Sequence, residues 1–131
     1  MSTLTIARPQ VEIDEAVKEL VSQQEERCTI VHCRYFTNEP AGIRIWPSTY
    51  LVEDTGIRCK LIKAFNISIM PEWTFHFAQN DFLRFTLVFE ALSSGCKNFY
   101  LLEDIKQPYG FYSKTVSKNS SGVYTVEVFV S

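Results

Sequence analysis

The segment FLRFTLVFEAL, residues 82–92, decides the fold class of this chain. Leu83, Phe85, Leu87, Phe89 and Ala91 fall on one parity of a two-residue period; Arg84, Thr86 and Glu90 fall on the other, joined by Phe82, Val88 and Leu92. Successive side chains of a β-strand point to opposite faces, so this pattern puts one face in a core and leaves the other partly wet. Phenylalanine, valine and threonine suit a pleated surface, and no glycine or proline interrupts the run. The segment reads as a central strand.

Toward the C-terminus, SSGCKN (93–98) reads as a turn and FYLLEDI (99–105) as a short strand or helical turn. KQPYGFYS (106–113) is a loop punctuated by Pro108 and Gly110, and KNSSG (118–122) is a turn signal. VYTVEVFV (123–130) alternates again, with Tyr124, Val126, Val128 and Val130 toward the core. Toward the N-terminus, MPEWTFHFAQND (70–81) mixes aromatics with loop formers and connects sheets. IRCKLIKAFNISI (57–69) is a strand with Ile57, Cys59, Leu61 and Phe65 inward, preceded by a hairpin turn, EDTG, at 53–56. IRIWPSTYLV (43–52) is a strand that Pro47, lacking a ladder N–H, must bulge or place at an edge. TNEPAG (37–42) is a turn, and CTIVHCRYF (28–36) is a strand with Thr29, Val31, Cys33 and Tyr35 on one face and Cys28, Ile30, His32 and Arg34 on the other.

Residues 1–10 fit a short strand or a loose arm. VEIDEAVKELVSQQEER (11–27) fits two patterns, because Val11, Ile13, Ala16, Val17, Leu20 and Val21 approach helical spacing while Val11, Ile13, Val17 and Val21 also mark strand positions. Strand signals separated by turn chemistry along most of the chain point to an antiparallel sandwich.

A chain of 131 residues is one domain's worth, with room for one sizeable core. Its 46% apolar and 21% charged residues are ordinary for a globular protein, while the 14% aromatic share is high and suits a well-packed β core. The net charge is −2 with both signs interspersed, so the basic stripe that phosphate backbones require is missing and nucleic acid is not an expected partner. No N-terminal apolar run is long enough for a signal peptide and no stretch approaches a membrane span, which makes a cytoplasmic location the default expectation. Cys28, Cys33, Cys59 and Cys96 show no CxxC spacing and read as free, mostly buried thiols rather than a zinc site, with a disulfide as the alternative for an exported protein. No cofactor or metal site is expected.

The combination GIRIWPSTYLVEDTGIRCKL, a loop containing MPEW, and FTLVFEALSSGCKNFYLLEDI resembles small β-sandwich domains of Bacteroidetes-type bacteria. Ile45–Trp46, Tyr50–Leu51–Val52, Gly56, Phe85–Leu87–Phe89–Glu90, Leu92, Phe99 and Leu102–Glu103 stand at comparable positions over roughly residues 28–105. The chain departs from that pattern in reading LSSG and LLEDI where those domains carry Leu-Pro and Asp-Phe-Ile-Glu. The resemblance implies an immunoglobulin-like fold and a strand over 11–21, and carries no catalytic set. The expected fold is therefore all-β, an immunoglobulin-like antiparallel sandwich of about seven to nine strands in a single domain.

Sugars and peptides stack on exposed aromatic faces, and binding residues concentrate in loops. Trp46, Tyr50, Trp73 and Tyr109, with Phe111 and Tyr112 nearby in sequence, are the candidate ligand-binding residues; the plainer reading is that these rings cap the core. Trp46 and Tyr50 are four apart and would share a face of an unbroken strand. Cys33 beside His32 suggests a nucleophile and base, but adjacent strand residues face opposite ways, and only His76 remains as an alternative imidazole. The acidic pairs Glu53–Asp54 and Glu103–Asp104 could serve hydrolysis or calcium binding, yet carboxylates are common at turns and strand ends for solubility. Arg34, Arg44, Arg58, Lys60 and Lys63 form a strand-borne cationic set that reads as a solvated face or a protected edge, with anion binding as the sharper alternative. The expected function is a non-enzymatic binding or protein-interaction module for protein, peptide or carbohydrate. The alternatives are a small enzyme using Cys33 or the Glu103–Asp104 pair, and a homodimer formed through an edge strand.

Overall fold

The computed structural model describes residues 28–76 and 80–131. Its strands are β1 (Cys28–Thr37), β2 (Ala41–Ile43), β3 (Thr49–Glu53), β4 (Arg58–Phe65), β5 (Thr74–His76), β6 (Asp81–Glu90), β7 (Asn98–Glu103), β8 (Phe111–Ser113), β9 (Val116–Ser117) and β10 (Val123–Val130). The short strand or loose arm expected at 1–10 and the strand expected at 11–21 lie outside the described residues.

The alternation in residues 82–92 holds along β6, whose Leu83, Phe85, Leu87 and Phe89 are buried while Arg84 is exposed. β6 lies between β4 and β1 and pairs antiparallel with the whole of β1, from Cys28 opposite Glu90 to Thr37 opposite Asp81. Val31 and Cys33 of β1, Leu51 of β3, Phe99 and Leu101 of β7, Phe111 of β8 and Tyr124, Val126 and Val128 of β10 join them in the core.

The strands follow the order β3-β4-β6-β1-β10-β8-β7, and β3 pairs back onto β7 from Thr49 opposite Glu103 to Glu53 opposite Phe99. The described residues are all-β as expected, but the sheet closes into a seven-stranded barrel instead of forming two facing sheets. Closure satisfies the backbone groups that open edges would expose, and barrel strands alternate in and out just as sandwich strands do. The ring is not wholly antiparallel, since β1 and β10 run parallel from Ile30 opposite Val123 to Arg34 opposite Glu127. β9 pairs additionally with β7, while β2 and β5 form a separate two-stranded sheet, joined by an Ile45–Ile69 bridge.

Three local expectations are corrected. Pro47 splits the strand expected over 43–52 into β2 and β3, with a turn that the Thr49 hydroxyl closes by donating to the Trp46 carbonyl at 2.7 Å. In β4 a bulge between Leu61 and Lys63 flips the parity of the strand. Ala64 thereby falls opposite the inward Leu87, and Phe65, expected inside, is 46% exposed. Ile57, also expected inside, lies in the hairpin turn and is 50% exposed. That turn is otherwise as read: Gly56 takes φ 92°, a left-handed conformation that glycine adopts without cost. The stretch expected at 99–105 as a short strand or helical turn forms the strand β7 up to Glu103, and the loop expected over 106–113 ends in β8.

Candidate functional site

The site is built on the inward parity of β7. Phe99, Leu101 and Glu103 all point into the barrel, so the strand ends on a carboxylate that is only 5% exposed. Glu103 Oε2 accepts the Trp46 N–H at 2.8 Å and Oε1 accepts the Phe111 N–H at 2.9 Å. Burial pushes the Glu103 carboxyl above its ordinary value, against the opposing pull of the two N–H donors and of the Arg44 charge. Both oxygens are committed to main chain, and the carboxylate fastens the 44–48 segment and the start of β8 to the same strand end.

Above it opens a groove of about 350 Å³, with Trp46, Trp73 and Tyr109 in its lining and Tyr35, Ile105 and Phe111 among its apolar walls. Arg44 organises the tryptophans, its guanidinium lying 4.0 Å from the Trp73 ring and 5.6 Å from that of Trp46. Arg44 also donates to the Pro71 carbonyl at 3.2 Å, which ties the 70–73 loop to the chain before Pro47. Gly42 permits the close approach on the other side, because a Cβ there would stand 3.3 Å from the Phe75 ring and 3.4 Å from Trp73. Tyr109 holds a left-handed backbone at φ 71°, with its N–H donated to the Ser131 carbonyl at 3.2 Å, and at 71% exposure it stands further out than Trp73 at 51%. A tyrosine in that conformation stores roughly 1–2 kcal/mol of strain.

Three of the four aromatic residues singled out in the sequence are thus brought together, and the fourth is not. Tyr50 sits on β3 away from the groove, under the Arg58 guanidinium at 5.2 Å, and Arg58 in turn pairs with Asp104 at 2.9 Å. The turn at Pro47 explains the separation, since it breaks the strand that would have put Trp46 and Tyr50 on one face. Phe111 is core, edge-on to Tyr35 at 5.2 Å, and Tyr112 packs outside against Phe129. Arg44, read from sequence as part of a solvated stripe, belongs to the groove instead. Its signal was the spacing Arg44-x-Trp46, which places the two beside one another on a single face.

The acidic pairs do not converge. Glu103 faces in and Asp104 is exposed, and Glu53 mirrors Glu103 at the far end of the β3–β7 seam. Glu53 is 3% exposed and accepts hydrogen bonds from the Ser93 N–H at 2.8 Å, the Ser93 and Thr55 hydroxyls and the Cys59 thiol. Burial raises its carboxyl, but these donors together outweigh burial and hold it below the ordinary range. Cys33 is buried with its thiol pushed up to about 12 by desolvation, and His32 is exposed and bonded to the Thr86 hydroxyl at 2.8 Å. The His76 side chain lies outside the described residues. All four cysteines are free. Among the described residues no three His, Cys, Asp or Glu side chains gather where they could hold a metal ion, and no helix is long and apolar enough to cross a membrane. No family profile matches the chain, nor does any curated protein or solved structure.

Proposed function

We propose that this chain is a non-enzymatic binding module whose end groove takes a short peptide segment presenting an apolar side chain beside a carboxylate. The observation that carries this reading is the convergence of Trp46, Trp73 and Tyr109 around Arg44 over an apolar depression of about 350 Å³. That volume lies at the small end of ligand pockets. A sugar would need several free hydrogen-bonding groups and an uncovered aromatic face. Here Glu103 is buried with each oxygen holding a main-chain N–H, and Arg44 covers Trp73, so an apolar group fits better. Arg44 has a five-donor fork with one bond to Pro71, and a ligand carboxylate complements the charge that remains.

Two other readings have less support. An enzyme would need an activated group, and Cys33 is both buried and held protonated, while Glu103 and Asp104 face apart. A dimer through an edge strand finds little edge in a closed ring, since outside the ring the described strands are β2, β5 and β9, of two or three residues each. The likeness to Bacteroidetes-type immunoglobulin-like domains belongs to the same proposal, as kinship carried by the hairpin and central-strand motifs.

Tryptophan fluorescence with acrylamide quenching tests the reading. Trp73 is 51% exposed, so the free protein should quench readily, and acidic–aromatic peptides should shift the emission and protect it. Tyr109→Gly relieves the φ strain while loosening the unfolded chain, so its stability should stay within about 1 kcal/mol of the parent as peptide affinity falls. Peptides that leave both quenching and emission unchanged, or that bind the Tyr109→Gly and Arg44→Gln variants as well as the parent, would overturn the groove as the binding site.

A further inference from the structure

A second cluster stands on the outer wall and shares no lining residue with the groove. Arg34 on β1 and Arg84 on β6 lie directly opposite one another in the antiparallel pair, an arrangement in which like charges repel. One aromatic ring supports both: the Arg34 guanidinium is 4.9 Å from the Phe82 centroid and that of Arg84 is 5.7 Å from it. Arg34 is partly neutralised from the β10 side by Glu127, at 3.7 Å. On the β4 side the depression is lined by Asn66 and no carboxylate, and no ion pair of Arg84 occurs among the described residues.

Between them lies a depression of about 340 Å³ whose polar lining is His32, Arg34, Asn66, Arg84, Thr86 and Thr125. Its outward ionisable groups are all basic, in a chain whose net charge is −2. We propose that Arg34 and Arg84 bind a phosphoryl oxyanion, either inorganic phosphate or the phosphate monoester end of a larger molecule. Two guanidinium forks with neighbouring hydroxyl and amide groups supply more donors than the two oxygens of a carboxylate can use, and they match the oxygens of a phosphoryl group. Phe82 holds the guanidiniums in place before the anion arrives, which lowers the ordering cost of binding. Phe36, 44% exposed and edge-on to Phe82 at 5.3 Å, supplies an apolar flank for whatever carries the phosphoryl group.

The test is titration of the full chain with inorganic phosphate at constant ionic strength, read by calorimetry and melting temperature. Phosphate should bind and raise the melting temperature above a chloride-matched control. Arg84→Gln or Arg34→Gln should weaken binding roughly tenfold. Arg58→Gln, which breaks a pair on another wall, should leave binding unchanged. Without phosphate, Arg84→Gln should melt no lower than the parent, because it removes the repulsion. Adenosine monophosphate and phosphatidate-containing vesicles then identify the source. Tighter binding of either than of phosphate, lost in Arg84→Gln, supports the site and assigns a nucleotide or a lipid headgroup. No phosphate response beyond chloride, or a response to any of the three probes that survives in both arginine variants, overturns it.

Discussion

Glu103 Oε2 accepts the main-chain N–H of Trp46 at 2.8 Å, so the last inward residue of β7 holds the turn that carries the first aromatic wall of the groove. The same carboxylate takes the Phe111 N–H, leaving it with two main-chain donors in a site nearly closed to water. Glu103→Gln replaces one acceptor by an amide that points donor at donor. It should cost about 1–3 kcal/mol in urea unfolding, as expected for a buried group left unsatisfied. Peptide affinity should fall with it, because Trp46 loses its anchor. A variant as stable as the parent would show that the two N–H groups have other partners.

The two buried glutamates should respond oppositely to pH. Glu53 titrates below its unfolded value, so the stability it contributes is present above the ordinary carboxylate pKa of about 4.3 and is lost as pH falls through the lower folded value. Glu103 titrates above its unfolded value, so its contribution declines as pH rises from about 4.3 through the raised folded value. Urea midpoints between pH 3 and 7 check both signs. Glu53→Gln should cost about 1–3 kcal/mol at neutral pH and less in acid, since the Ser93, Thr55 and Cys59 donors lose an acceptor only where the parent carboxylate is ionised. Glu103→Gln should remove the decline on the neutral side.

Thiol chemistry separates a binding module from a cysteine enzyme. Burial pushes Cys33 up to about 12; for Cys59 burial and the neighbouring Glu53 together reach about 12, and Cys96 is raised chiefly by burial. Cys28 alone of the four is not fully buried. A thiol-specific chromogenic reagent at pH 8 should therefore modify Cys28 first, and the other three at the rate of unfolding. Fast modification of Cys33 in the native protein, located by mass spectrometry of the labelled peptide, would restore it as a nucleophile.

Much of this molecule is readable locally. The inward sets of β6 and β10, the turns at 53–56 and 118–122, and the loop placement of Trp73 and Tyr109 follow from side-chain alternation and turn chemistry within a few residues. Even the two buried carboxylates carry a local signal. TYLVE alternates Thr49, Leu51, Glu53 inward, and FYLLE alternates Phe99, Leu101, Glu103. The parity was visible, but a carboxylate at a strand end is usually solvated, and nothing nearby in sequence announces Ser93, Trp46 or Phe111 as its donors.

Closure is another matter. A sandwich and a barrel demand the same alternation, and only the pairing of Thr49–Glu53 with Phe99–Glu103 tells them apart, across a long stretch of intervening chain. The bulge that turns Phe65 out and the turn at Pro47 that parts Tyr50 from Trp46 are likewise settled by which strand each segment pairs with. Alternation says which side of a strand is dry, because burial acts residue by residue. Which groups meet across the dry side depends on register between distant strands, and this is why Arg44 joins the tryptophans and Arg34 faces Arg84.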